Sequence, residues 1–300
     1  MKTSNSTILS VVLIAVLISS VAFAVSPVRD PVLYFNPVET HQQKKDGVWR
    51  NAGTAGGQLK KGFGKPNLEH GTIEIPSIGV KSDNAAWYTA TQSKDVFAND
   101  EEDKNAPIVH LQDFTVGLLM RINGPLFLEE HQVFGLQTGP WAPIKDGWNA
   151  GAPRDQIVRV WLDANGSGIF QNISIAQNVV QHRQDLAKRK NKLNIGQKEW
   201  HWVHIAFKSG ESIKIYRDGT EVSNTPTEVE WDPAHQMLQH GIFTSARIEQ
   251  QRTCNCSIAI YRVYDRALSS DEINKNVKNS LSVEPAGKLA VTWGEVKRGF

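Results

Sequence analysis

The stretch "WHWVHIAFKSGESIKIYRDGTEV", residues 200–222, constrains this chain more than any other. Trp200, Trp202, His204 and Ala206 fall on one side of an extended backbone, and His201, Val203, Ile205 and Phe207 on the other, the period-two pattern of a strand. Ser209-Gly210 turns the chain, and Ile213, Ile215 and Arg217 then alternate with Lys214 and Tyr216 up to Asp218-Gly219. That dipeptide accepts the positive φ values of a tight hairpin and so fixes strand register. The signature recurs elsewhere. "FTVGLLMRI" (114–122) sets Phe114, Val116, Leu118, Met120 and Ile122 on one face, and "IVRVWLDANGSGIFQNISI" (157–175) reads as a hairpin about Asn165-Gly166. "GTIEIPSI" reads as a strand ended by Pro76, and a first strand is expected at Val32 to Phe35. Residues 46–71 are glycine-rich and read as a loop, and "QHRQDLAKRKNKLNIGQ" as a loop or a short helix. Ser269 and Glu272 have capping-box spacing and predict a short helix near the C-terminus. Strands with short turns between them, and helix only at the margins, predict an all-β, two-sheet antiparallel sandwich.

Two of these segments also carry a family pattern. Trp202-x-x-Ile205-Ala206, a short turn and Ile215-Tyr216-x-Asp218-Gly219 form one motif, and "IAIYRVYDRALSSDEI" (258–273) forms the other. On these residues the chain resembles laminin G-like domains, the concanavalin A-like jelly rolls. The resemblance implies a jelly-roll sandwich with a short C-terminal helix. Such folds host lectins, adhesion modules, lyases and hydrolases alike, and often hold a calcium ion at the rim.

Lys2 precedes an apolar run from Ile8 to Ile18, and the segment closes on Ala22-Phe23-Ala24, so residues 1–24 read as a signal peptide. The run is short of the ~20 residues a bilayer requires, so membrane contact is expected only before cleavage. Residues 25–280 then form one jelly-roll domain and 281–300 a C-terminal tail, with a secreted, cell-surface or periplasmic location. The formal net charge of +2 implies no nucleic-acid partner. Cys254 and Cys256 are the two cysteines. Two positions apart on a strand they are near the limit of disulfide reach, leaving either a strained bridge or, as the favoured reading, two buried thiols.

Candidate sites follow from residue chemistry. Nine tryptophans suggest sugar stacking, since an indole face packs on a pyranose. Trp161 and Trp202 lie in strands and read as core, whereas Trp141 and Trp148 sit in a Gly/Pro-rich loop, with Trp87 a further candidate. Lys188, Arg189, Lys190 and Lys192 make a basic cluster suited to sulfated or carboxylated glycans. Asp163 and Asn165 in "DANGSG", and Asp100 and Asp103 in an acidic run, are candidate calcium ligands without the distal glutamate of an EF-hand. Glu228, Glu230 and Asp232 alternate in "EVEWD" as paired carboxylates do in glycoside cleavage, but Pro233 follows, and a solvated edge segment is the favoured reading. The expected function is an exported recognition module that binds extracellular carbohydrate or matrix through sandwich-edge loops. The alternatives are a non-catalytic protein-interaction or structural module and, behind it, a polysaccharide-cleaving enzyme.

Overall fold

A computed structural model describes residues 28, 30–37, 48–61, 64, 66–92, 95–98, 104–124, 130–138, 157–165, 168–177, 180–185, 195–231, 233, 236–243 and 253–281. In chain order its strands begin with β1 (Leu33–Phe35), β2 (Val48–Arg50), β3 (Gln58–Lys61), β4 (Asn67–Ile75), β5 (Val80–Thr89), β6 (Phe97–Ala98), β7 (Val109–His110) and β8 (Phe114–Ile122). They continue with β9 (Glu130–Thr138), β10 (Ile157–Asn165), β11 (Gly168–Gln177), β12 (Val180–Asp185), β13 (Trp200–Lys208), β14 (Ser212–Arg217), β15 (Thr220–Pro226), β16 (Gln236–Ile242) and β17 (Cys256–Tyr264). One helix, α1 (Ser270–Asn279), follows.

These strands make two antiparallel sheets. The first runs β15-β14-β13-β8-β17-β5-β4, with β1 also paired to β17; the second runs β12-β11-β10-β9-β16-β6-β3-β2, with β7 also paired to β16. The two-sheet antiparallel sandwich anticipated from alternation is therefore present, in keeping with the jelly roll that the resemblance implies. Phe114, Val116, Leu118, Met120 and Ile122 of β8 all face the core between the sheets, joined there by Val203, Ile205 and Phe207 of β13. Asp218 (φ 50°) and Gly219 (φ 84°) link Arg217 to its partner Thr220, the two left-handed residues of a type I′ turn. A Cβ on Gly219 would also meet the Asn274 side chain of α1, which would have to move aside.

The central strands β8, β13 and β17 of the first sheet are buried on both faces, which period-two alternation alone does not distinguish from burial on one. Trp200, Trp202 and Ala206, the other side of β13, join Leu119, Trp87, Tyr264, Leu268 and the α1 residues Ile273 and Val277 in a second core on the outer face. The helix begins as expected: Ser269 Oγ accepts from Glu272 N–H, and the Glu272 carboxylate accepts from Ser269 N–H at 2.9 Å. Asn276 Oδ1 then accepts from Val28 N–H and Tyr264 O–H, which ties the incoming chain and β17 to the helix.

A single cross-strand row beneath α1 shows how tightly this second core packs. Tyr216, His204, Gly117, Arg262 and Tyr34 lie opposite one another across β14, β13, β8, β17 and β1. Gly117 is small because its neighbours are large: a Cβ there would stand 3.0 Å from the His204 ring.

Several local expectations are corrected. The glycine-rich stretch 46–71 contains β2, β3 and the start of β4 rather than a loop. Trp49 and Leu59 bury completely, and Asn51 satisfies the turn between them, donating to Val32 and Gly56 carbonyls and accepting from Tyr34 and Gly53 amides. Gln181–Asp185, within the segment read as loop or helix, belongs to β12 and pairs with β11, since an edge position tolerates polar side chains. The β10–β11 hairpin exists, but Asn165 pairs with Gly168 and so belongs to the strand rather than to the turn. Cys254 and Cys256 are disulfide-bonded, against the favoured thiol reading. A bend at Asn255 just before β17 shortens their Cα separation to 5.3 Å, inside disulfide range, where two extended residues would span about 6.6 Å.

Candidate functional site

At one end of the first sheet, four strand-flanking segments converge: Ala90–Gln92 after β5, Asn123–Gly124 after β8, Ile195–Glu199 before β13 and Thr253–Asn255 before β17. They border a shallow, open cleft of about 490 Å³ lined by Glu69, Thr89, Ala90, Thr91, Arg121, Asn123, Lys198 and Asn255. Arg121 and Thr89 of its lining belong to one cross-strand row, in which Trp200, Arg121, Ser257, Thr89 and Asn67 stand opposite one another across β13, β8, β17, β5 and β4.

Arg121 is the centre of the cleft's contacts. Its guanidinium carbon lies 5.4 Å from the Trp87 ring centroid and 4.9 Å from that of Trp200. The two indoles meet edge to face at 5.3 Å. Arg121 Nε–H donates to Asn123 Oδ1 at 3.0 Å, and Nη2–H to Ser257 Oγ at 3.4 Å. Ser257 O–H in turn donates to Asn123 Oδ1 at 3.2 Å and shares a 2.8 Å bond with Thr89 Oγ1. Two donors therefore converge on Asn123 Oδ1, which fixes the orientation of that amide. Burial against the indoles lowers the Arg121 pKa while Glu69 opposes the shift, and a guanidinium stays charged throughout the physiological range. The Glu69 carboxylate accepts from Trp87 Nε1–H at 2.8 Å.

Lys198 enters from the opposite wall with φ at 68°, its backbone N–H held by the Ile122 carbonyl at 2.6 Å. Asn255 sits between the two bonded cysteines, and its carbonyl accepts from Asn123 N–H at 2.9 Å. The disulfide thus shapes the short bend that carries Asn255 to the rim. Among the described residues the cleft holds two cations, one carboxylate and several amides and hydroxyls. That inventory fits non-covalent capture of a polar ligand.

Of the candidates named from the sequence, Trp87 lies beside this cleft. It is only 6% exposed, so it supports Arg121 and orients Glu69 instead of offering an open ring face. Trp141, Trp148, Lys188, Arg189, Lys190, Lys192, Asp100 and Asp103 lie outside the described residues. Asp163 and Asn165 belong to β10, of which only the backbone is described. Among the described residues no group of three or more His, Cys, Asp or Glu side chains could hold a metal ion. Glu228 and Glu230 are exposed, while Val229 and Trp231 between and beyond them are buried, so the alternation turns these glutamates to solvent; Asp232 lies outside the described residues. Trp231 packs on Phe114 and Phe207, anchoring the segment to the sandwich.

Sequence reasoning missed Arg121, Asn123, Lys198 and Asn255. Arg121 closes an apolar strand and resembles an ordinary strand-end cation. Its pairing with Trp87 and Trp200 depends on neighbours 34 and 79 residues away along the chain.

A second set of polar contacts organises the hairpin. The buried Asp218 carboxylate accepts from Trp202 N–H at 2.9 Å and from Ser77 O–H at 3.0 Å, and meets His201 Nδ1 at 2.8 Å. Burial works to raise the Asp218 pKa, but these bonds outweigh it and the net direction is downward. With its oxygens turned inward to the backbone and the 3₁₀ turn Pro76–Ile78, Asp218 is a structural clamp on the turn.

Among solved structures, toxin binding domains show a distant likeness to the chain. The serotype G botulinum neurotoxin binding domain superimposes with a TM-score of 0.49 at 10% identity, over 83% of this chain and 50% of that one. The serotype D ligand-binding domain, determined in complex with N-acetylneuraminic acid, gives 0.48 at 11% identity over the same shares. The chain thus spans about half the length of these structures. No curated protein sequence matches it. The sequence of residues 111–274, more than half of the chain and including β8, β13, β14, β17 and the start of α1, matches the laminin G model of the concanavalin A-like lectin/glucanase superfamily, and the chain belongs to that family.

Proposed function

We propose that this protein is an exported recognition module that binds extracellular carbohydrate without cleaving it. One observation carries the reading: the cleft at the end of the first sheet gathers preorganised amide, hydroxyl and cationic groups, the kind of surface that hydrogen-bonds sugar hydroxyls. Membership of a lectin-containing superfamily supports it. Export is supported by the leader-like residues 1–24 and by the disulfide, since such bonds persist in oxidising compartments. Trp141, Trp148 and the basic cluster Lys188–Lys192 are proposed as further contacts from the connecting segments, and a calcium ion at the rim is proposed as an accessory.

The test is retention of the purified chain on a glycan array, with and without calcium, together with sizing of the bound polysaccharide after incubation. Retention with no shortening is the expected outcome. Oligosaccharide release that disappears in Glu230→Gln would replace this reading with hydrolysis. Silence on every glycan would leave a protein-interaction or structural module.

A further inference from the structure

We propose that the Arg121 cleft is an oxyanion subsite, built to take the carboxylate or sulfate substituent of an acidic polysaccharide. The proposal rests on the carbohydrate-binding reading and specifies its ligand class. Three groups lining one cleft are donors for which no described residue supplies a partner: Arg121 Nη1, Asn123 Nδ2 and the Lys198 ammonium. Among the described lining residues there is one carboxylate, Glu69, which accepts from Trp87 Nε1–H and also acts electrostatically on Arg121, so the two cations Arg121 and Lys198 outnumber it. Open donors beside two cations can bond the acceptor oxygens of a sugar hydroxyl, but an ionised carboxylate or sulfate presents more acceptor sites and a complementary charge, so it is the stronger match.

The guanidinium is also pre-aimed. Two indoles back it, and its Nε and Nη2 edges are bonded to Asn123 and Ser257, so little side-chain freedom remains to be lost on binding. A planar cation fixed in this way meets an oxyanion through a charge-assisted bond of defined direction. Trp87 and Trp200 are 6% and 5% exposed, so no ring face is open for a sugar to stack on. Discrimination in this cleft therefore comes from charge and hydrogen bonding.

The experiment titrates the intact chain with polygalacturonate, dextran sulfate and neutral dextran by calorimetry, comparing wild type with Arg121→Gln, Arg121→Lys and Lys198→Asn, each checked for an unchanged melting temperature. Binding of one or both acidic polymers in preference to dextran is expected, and which one binds tells carboxylate from sulfate. Arg121→Gln should weaken it by about tenfold or more, the loss of one hydrogen bond to a charged group. Arg121→Lys should fall between, keeping the charge and losing the fork. Lys198→Asn should weaken it about threefold, as expected for an exposed ion pair. Asn tolerates the left-handed backbone at 198, so this variant decides the matter should Arg121→Gln fold poorly. Wild-type affinity for acidic polymer in both Arg121→Gln and Lys198→Asn would overturn the subsite while leaving carbohydrate recognition standing. Equal affinity for dextran would do the same. Failure to bind any polysaccharide would overturn both readings.

Discussion

Lowering the pH from 7.5 to 5 should remove about 2 kcal/mol of folding stability through His204 alone. The ring is fully buried, stacked on Trp202 at 5.3 Å, and neither of its nitrogens has a hydrogen-bond partner. Burial, assisted by the nearby Arg262 charge and partly opposed by Asp218, lowers its pKa from 6.5 to about 3. The folded protein therefore carries a neutral His204 down to strongly acid pH, while the unfolded chain takes up a proton below 6.5. Stability is full above 6.5, falls as pH drops through that value, and levels off near 3. At pH 5 the unfolded state gains RT ln(1 + 10^1.5), about 2 kcal/mol, and this figure does not depend on the folded pKa so long as that stays below about 4. Urea unfolding of wild type and His204→Leu at both pH values measures it. Leucine has similar volume, does not titrate and removes two unsatisfied buried atoms, so the variant should lose about 2 kcal/mol less than wild type between the two conditions. Acidic groups such as Asp218 and Glu272 titrate in both proteins and cancel in the difference. Equal losses in the two proteins would refute the argument.

Other outcomes follow from equally local causes. Ser269→Ala removes one half of the capping box and should cost about 1 kcal/mol in urea melts, with loss of helical ellipticity confined to one short segment. Tyr261 is buried with no partner for its hydroxyl, and burial holds its pKa well above the usual phenol range; Tyr261→Phe should stabilise by about 1 kcal/mol, read as a raised melting temperature. Cys254→Ser with Cys256→Ser opens a closed loop of three residues, for which the chain-entropy cost is only about 1.6 kcal/mol. The double variant should fold, and any larger loss of polysaccharide affinity than of stability would show that the disulfide positions Asn255.

How much was legible in advance varied with the range of the interactions involved. Strands β8, β13, β14 and β17 could be read because their alternation and the Asp218-Gly219 turn are local signals, and the cap of α1 is a four-residue pattern. Strands β2 and β3 were hidden, because these three- and four-residue strands, the last two at one end of the second sheet, are held by Trp49, Leu59 and the Asn51 bonds, not by periodicity. The cleft was hidden for a related reason. Its groups come from Glu69, Arg121, Lys198 and Asn255, each unremarkable within its own segment.

What the sequence by itself determined is the two-layer antiparallel sandwich, the face that β8 turns inward and the start of the closing helix. Backbone pleating and turn chemistry act over a few residues and leave little choice. Tertiary structure decided that the outer face of the first sheet's central strands is buried a second time beneath α1, that a bend lets Cys254 reach Cys256, and that Arg121 stands between Trp87 and Trp200 with donors open to a cleft. Those outcomes depend on strand order and register, which bring distant residues into one row, and no single stretch of chain encodes them.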